Sequence, residues 1–222
     1  MARMFGIVDE MVAHAEYFLL RARESSDFLS IRADVVAFSS SSRSITYCVQ
    51  AALADAPGFE EWYSVRRAAL KASGLARYFH NYRRIAHHLG ENSICQGVFR
   101  GGRTTWYFVE HGSLPTPPVL DVAAACTQHF IDLLRVVFEC YEEFRYIVNG
   151  QWYYTEENFA RRGLTIEDAE EELGFPRGHT KVESWPDCIR WRLLCREAQG
   201  CGIQHIFSQW LNRTVQYPDL QA

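Results

Sequence analysis

The sequence contains no C-x-x-C pair, Gly-rich phosphate loop, nucleophile elbow or H-E-x-x-H. The short signatures of zinc knuckles, phosphate-cradling loops, serine hydrolases and zinc peptidases are therefore missing, and no cofactor is expected. No window approaches the run of about 20 apolar residues that crosses a bilayer. The opening MARMFGIVDEMV places Asp9 and Glu10 where a signal peptide needs its apolar stretch, so neither a membrane nor export is expected. Positive charge is also scarce: the formal net charge of -4 excludes a generally basic nucleic-acid coat and leaves only local patches to attract phosphate. The 7 cysteines, Cys48, Cys95, Cys126, Cys140, Cys188, Cys195 and Cys201, are odd in number and scattered. They read as small apolar side chains in a reducing compartment, which points to a bacterial-type cytoplasmic protein.

What is present is ample material for a core. Of the 222 residues, 48% are hydrophobic and 14% aromatic, enough for one well-buried domain or a domain with a smaller appendage. Residues 4 to 24 place Phe5, Val8, Val12, Ala15, Phe18 and Leu19 on one helical side. A second periodic segment runs from Phe28 to Leu53 through the serine tract Ser39 to Ser42, whose small side chains suit close approach by a neighbouring helix. It is expected to be continuous, because propensity only weakly opposes serine. Pro57 and Gly58 punctuate the chain before a third helix, Phe59 to Ala72.

The pattern then switches to period two. Residues 94 to 109, turning at Gly101 and Gly102, predict a β-hairpin. After the GSLPTPP loop, Val119 to Val148 carries a broad apolar stripe. The expected fold is therefore mainly α: an antiparallel helical bundle over residues 1–149 with one inserted hairpin near 93–110. Residues 150–222 are expected to form an appendage of short helices, Glu156 to Arg162, Ile166 to Leu173, Asp187 to Ala198 and Ile203 to Val215. The acidic IEDAEEELG argues against DNA recognition there and favours packing or dimerisation.

One stretch asks for chemistry as well as packing. In Leu75 to Glu91, LARYFHNYRRIAHHLGE, the residues Tyr78, Phe79, Tyr82 and Ile85 form an apolar stripe. Arg77, Asn81, Arg84 and His88 follow along one polar row, with His80, Arg83, His87 and Glu91 in a second row beside it. Histidine exchanges protons near neutral pH, and arginine stabilises phosphate charge. Together they suit metal-free cleavage of RNA, whose 2′-hydroxyl is a built-in nucleophile. Residues five apart on a regular helix project about 140° from each other, so Arg84 aligns with His88 better than Arg83 does within one chain. Zinc is disfavoured, because His87 or His88 with Glu91 lacks a third near ligand. His14, His111, His129, His179 and His205 are isolated in the sequence.

The segment RYFHNYRRIAHHLGE resembles HEPN-like helical proteins in its Arg-x-x-x-x-His spacing, Arg83 to His88, with Tyr78 and Phe79 before it and Gly90 after it. The resemblance implies an all-helical core and a metal-independent ribonuclease site of toxin or phage-defence type, usually completed across a homodimer. By that resemblance Arg83 would hold the scissile phosphate and His88 would serve as general acid or base; Arg77, Asn81, Arg84 and His87, from the polar rows themselves, are the expected substrate-binding residues. The alternative is an inactive module of the same fold that binds RNA, a nucleotide or a protein partner such as an antitoxin. A plainer alternative is an interaction scaffold in which the tryptophans serve packing and interfaces only.

Overall fold

The computed structural model describes residues 5–219; Met4, the expected first residue of the opening helix, lies outside the described residues. The chain divides into two compact units, one from Glu10 to Val136 and one joining the described residues up to Asp9 with those from Val137 on. The junction expected at Asn149 and Gly150 falls inside the second of these, between two short helices. No described helix is long and apolar enough to cross a membrane.

The unit from Glu10 to Val136 contains most of helix α1 (Gly6–Glu24), α2 (Phe28–Leu53), α3 (Phe59–Ala72), α4 (Gly74–His88), the hairpin β1 (Ile94–Arg100) and β2 (Arg103–Phe108), and the start of α5 (Val122–Glu143). α2 begins where the Asp27 carboxylate accepts the Ser30 N–H at 2.9 Å, an N-cap that satisfies one orphan donor. It continues unbroken through the serine tract. There Ser39 and Ser40 donate to the Val36 carbonyl and Ser44 donates to that of Ser40, so these hydroxyls are satisfied inside the helix without competing for its backbone donors. α4 packs along α2, and Ser40 hydrogen-bonds the His87 ring.

The hairpin pairs antiparallel, with Gly97 opposite Trp106 and Arg100 opposite Arg103. Gly101 and Gly102 both take positive φ, 57° and 79°, as a two-residue turn matching the strand twist requires. The hairpin is tied to α4 by aromatic contacts, Phe108 lying 5.0 Å from the Tyr78 ring and 5.8 Å from Tyr82. Tyr78, Phe79, Tyr82 and Ile85 are all buried, and each such side chain is worth about 1.5–3 kcal/mol of apolar burial.

The second unit carries the end of α5, then α6 (Arg145–Val148), α7 (Gly150–Tyr153), α8 (Glu156–Arg161), α9 (Ile166–Glu172), α10 (Asp187–Glu197) and α11 (Gln204–Leu211). The segment expected as one helix to Val148 is interrupted at Phe144, whose ψ of 26° leaves the helical range. Its core gathers Tyr153, Tyr154, Phe159, Ile166, Trp191 and Leu194. The acidic α9 turns one carboxylate inward: Glu170 is fully buried and accepts hydrogen bonds from Gly178 and Thr180 and from the Arg190 guanidinium. It thereby holds the loop after Gly174 in place. Cys126, Cys140 and Cys195 are buried, the Cys195 thiol donating to the Tyr154 carbonyl, whereas Cys95 and Cys188 are exposed.

Candidate functional site

α4 is built to present its polar side. The Ser73 hydroxyl accepts the Ala76 N–H at 3.2 Å to start it. The stripe from Tyr78 to Ile85 anchors one face, with the buried Tyr78 hydroxyl 2.8 Å from Ser93. Leu89 closes the last turn by donating to Ile85, and Gly90 at φ 68° turns the chain away, as a left-handed residue after a helix does.

The residues expected in a site are dispersed along this helix. Arg77, Arg84, His87 and His88 are exposed, while Arg83 is half-buried and its Nε is enclosed without a hydrogen-bond partner. Because α4 stays helical through His88, Arg83 and His88 project about 140° apart within this chain. Arg84 and His88 are one turn apart, about 6 Å along the axis. The Asn81 amide is turned onto the Arg77 carbonyl at 2.8 Å, which leaves its carbonyl oxygen for a ligand. Glu91 lies past the helix and pairs with His111 at 3.2 Å. Among the described residues no cluster of three His, Cys, Asp or Glu side chains is placed to hold a metal ion.

Arg77 opens instead onto a groove between α2, α3 and α4, floored by residues of α5, with a cavity of about 310 Å³. Arg43, Arg67, Lys71, Arg77 and His80 line it, and among the described residues no carboxylate does. Among the described residues Arg43 engages neutral partners, donating to the Tyr47 hydroxyl at 2.9 Å while its guanidinium carbon lies 4.2 Å from that ring's centroid. Arg67 pairs with Glu60 at 3.0 Å. The result is a local positive surface on a chain of net charge -4.

Burial disfavours the charged form of both imidazoles of the groove. His129 is buried and stacked on Phe79 with ring centroids 4.8 Å apart; burial pushes its pKa down to about 4, since desolvation disfavours the charged ring. Partial burial also lowers His80, helped by the positive charges of Arg43, Arg83 and Arg84. The groove's positive charge therefore rests on its arginine and lysine side chains more than on its imidazoles.

Sequence reasoning missed Arg43, Arg67, Lys71 and His129. Arg67 and Lys71 did leave a signal, since basic residues four apart share one face of a helix. Their convergence with Arg43 and Arg77 depends on how three helices pack.

The fold and site together define a mainly α-helical protein with a cationic groove, offset in part by Glu60, beside a basic helix. Comparison with protein-family models, with curated proteins and with solved structures finds no match to this chain.

Proposed function

We propose that the chain is an HEPN-like helical module that binds RNA through its phosphates, using the basic row of α4. The observation that supports this reading is the row itself. Arg77 and Arg84 stand exposed on one side of α4 with His88 at its end, and among the described residues no carboxylate pairs with either guanidinium. Exposed guanidiniums without acidic partners are the groups that phosphate contacts draw on. The overall negative charge confines such binding to this surface. Phosphate is the group the row recognises; RNA as its carrier follows from the resemblance of the Arg83 to His88 segment.

Binding without cleavage is the reading that one chain's geometry favours, because Arg83 and His88 do not converge on a regular helix. A metal-independent endoribonuclease of toxin or phage-defence type is the second reading. It is favoured by the exposure of Arg84, His87 and His88 at the end of α4, where a second copy in a homodimer would bring its own arginine to the imidazole. In that case an antitoxin or other protein partner is expected to cover the same surface.

The test is fluorescence anisotropy of a short labelled RNA titrated with the protein in EDTA, followed by a gel of the same samples. Binding that weakens as salt rises, with the RNA intact, is the expected result. Scission in EDTA that His88→Ala abolishes establishes the second reading. Absence of binding at low salt refutes both.

A further inference from the structure

Resting on the phosphate-binding reading of α4, we infer that the groove between α2, α3 and α4 is a pocket for a phosphomonoester dianion, the terminal phosphate of a short RNA or of a free nucleotide. Three independent features converge on it.

The first is charge. Arg43, Arg67, Lys71 and Arg77 line the pocket with no carboxylate beside them among the described residues, and Glu60, exposed, pairs with Arg67. A phosphate inside a strand carries one negative charge, whereas a terminal one carries about 1.5 to 2 at pH 7. A pocket with three uncompensated cations has most to gain from the second charge.

The second feature is a set of unanswered donors. Ser42 is 1% exposed and lines the pocket, its enclosed hydroxyl has no hydrogen-bond partner among the described residues, and Arg43 Nε is likewise enclosed and unpartnered. Ser39, Ser40 and Ser44 on the same helix each donate to a preceding carbonyl, so the isolation of Ser42 is not a property of the tract. Buried polar groups in native proteins are normally satisfied. Both groups are donors, and a phosphate oxygen is the acceptor that suits them.

The third feature is size. At about 310 Å³ the cavity lies at the small end of the ~300–1,000 Å³ range for small-molecule sites. Phe79, His129 and Leu133 close it at depth. It has room for one nucleotide unit with its phosphate inward, and no second opening through which a strand would thread is needed.

The experiment compares one eight-nucleotide RNA carrying a 5′-phosphate, a 3′-phosphate or neither, together with adenosine monophosphate, against the full chain in EDTA. Binding is read by anisotropy for the RNAs and by calorimetry for the nucleotide. One of the phosphorylated ends is expected to bind about tenfold tighter than the unphosphorylated strand, the scale of one added charge-assisted contact. Lys71→Ala and Ser42→Ala are expected to bring that ratio to threefold or less, and Arg84→Ala, outside the pocket, to weaken all strands while keeping it. Circular dichroism verifies that each variant folds. Equal affinity for all three strands overturns the pocket and leaves RNA binding standing, as does a preference that Lys71→Ala does not reduce. Nucleotide binding that Lys71→Ala removes, with no RNA binding, supports the pocket and refutes the RNA reading. No binding of any probe refutes both.

Discussion

Asp9 offers a prediction whose magnitude follows from its surroundings. It sits in the first turn of α1, 7% exposed. Its carboxyl oxygens each accept from the Tyr141 hydroxyl at 2.8 Å, and one accepts from the Gly202 N–H at 2.9 Å. Burial raises its pKa from the ordinary 3.8 to about 6, outweighing the two hydrogen bonds that pull the other way. A carboxyl with a raised folded pKa holds its proton more tightly in the native state. The stability it contributes is therefore present below pH ~4 and lost as pH rises through ~6. At 1.36 kcal/mol per pH unit the loss amounts to roughly 3 kcal/mol. Asp9→Asn keeps an acceptor oxygen and removes the ionisation. Urea unfolding of both proteins, followed by circular dichroism from pH 4 to 7.5, isolates this group because all others cancel in the difference. The difference is expected to move toward the Asn variant by roughly 2.5 kcal/mol across that range, the remainder of the loss falling below pH 4. A constant difference, or one that moves toward the wild type as pH rises, would mean that the Tyr141 and Gly202 hydrogen bonds dominate and the reasoning fails.

Arg190→Ala removes a guanidinium, 6% exposed, that lies 2.8 Å from Glu167 and 3.4 Å from the buried Glu170. Leaving that carboxylate without its cation is expected to cost about 3–5 kcal/mol, read as a fall in Tm. Burial raises the Glu170 pKa but is outweighed by the hydrogen bonds from Thr180 and Gly178, so the net shift is downward. The stability this carboxylate supplies is accordingly present above pH ~4.5 and lost as pH falls below it. Gly97→Ala would place a Cβ 2.8 Å from the Trp106 ring; about 1–3 kcal/mol of destabilisation is expected from overpacking, and an unchanged Tm would contradict the close approach.

The long helices were legible because each hides a stripe of large side chains at a period near 3.6 and is bounded by Asp27, Gly58, Ser73 or Gly90. The hairpin was legible from its paired glycines. The short α7, GQWY, carries too few residues for any period to show. The interruption at Phe144 rests on one residue's backbone angles within an apolar run that continues past it. In the candidate site the basic face of α4 could be read directly, since its residues are neighbours in sequence. The groove could not. Arg43, Arg67 and Lys71 lie on other helices, and His129, isolated in sequence, reaches Phe79 only through packing. The chemistry carried by one helix was visible, while the chemistry assembled by several depends on tertiary contacts that periodicity does not encode.

The most direct test of the phosphate-binding surface on α4 is the salt dependence of RNA affinity for the wild type and Arg84→Ala. Each lost phosphate contact to a single strand lowers the slope of log affinity against log salt by about 0.7. The wild type is expected to show a steep slope and the variant one shallower by about that amount. Identical slopes for the two proteins would contradict the account.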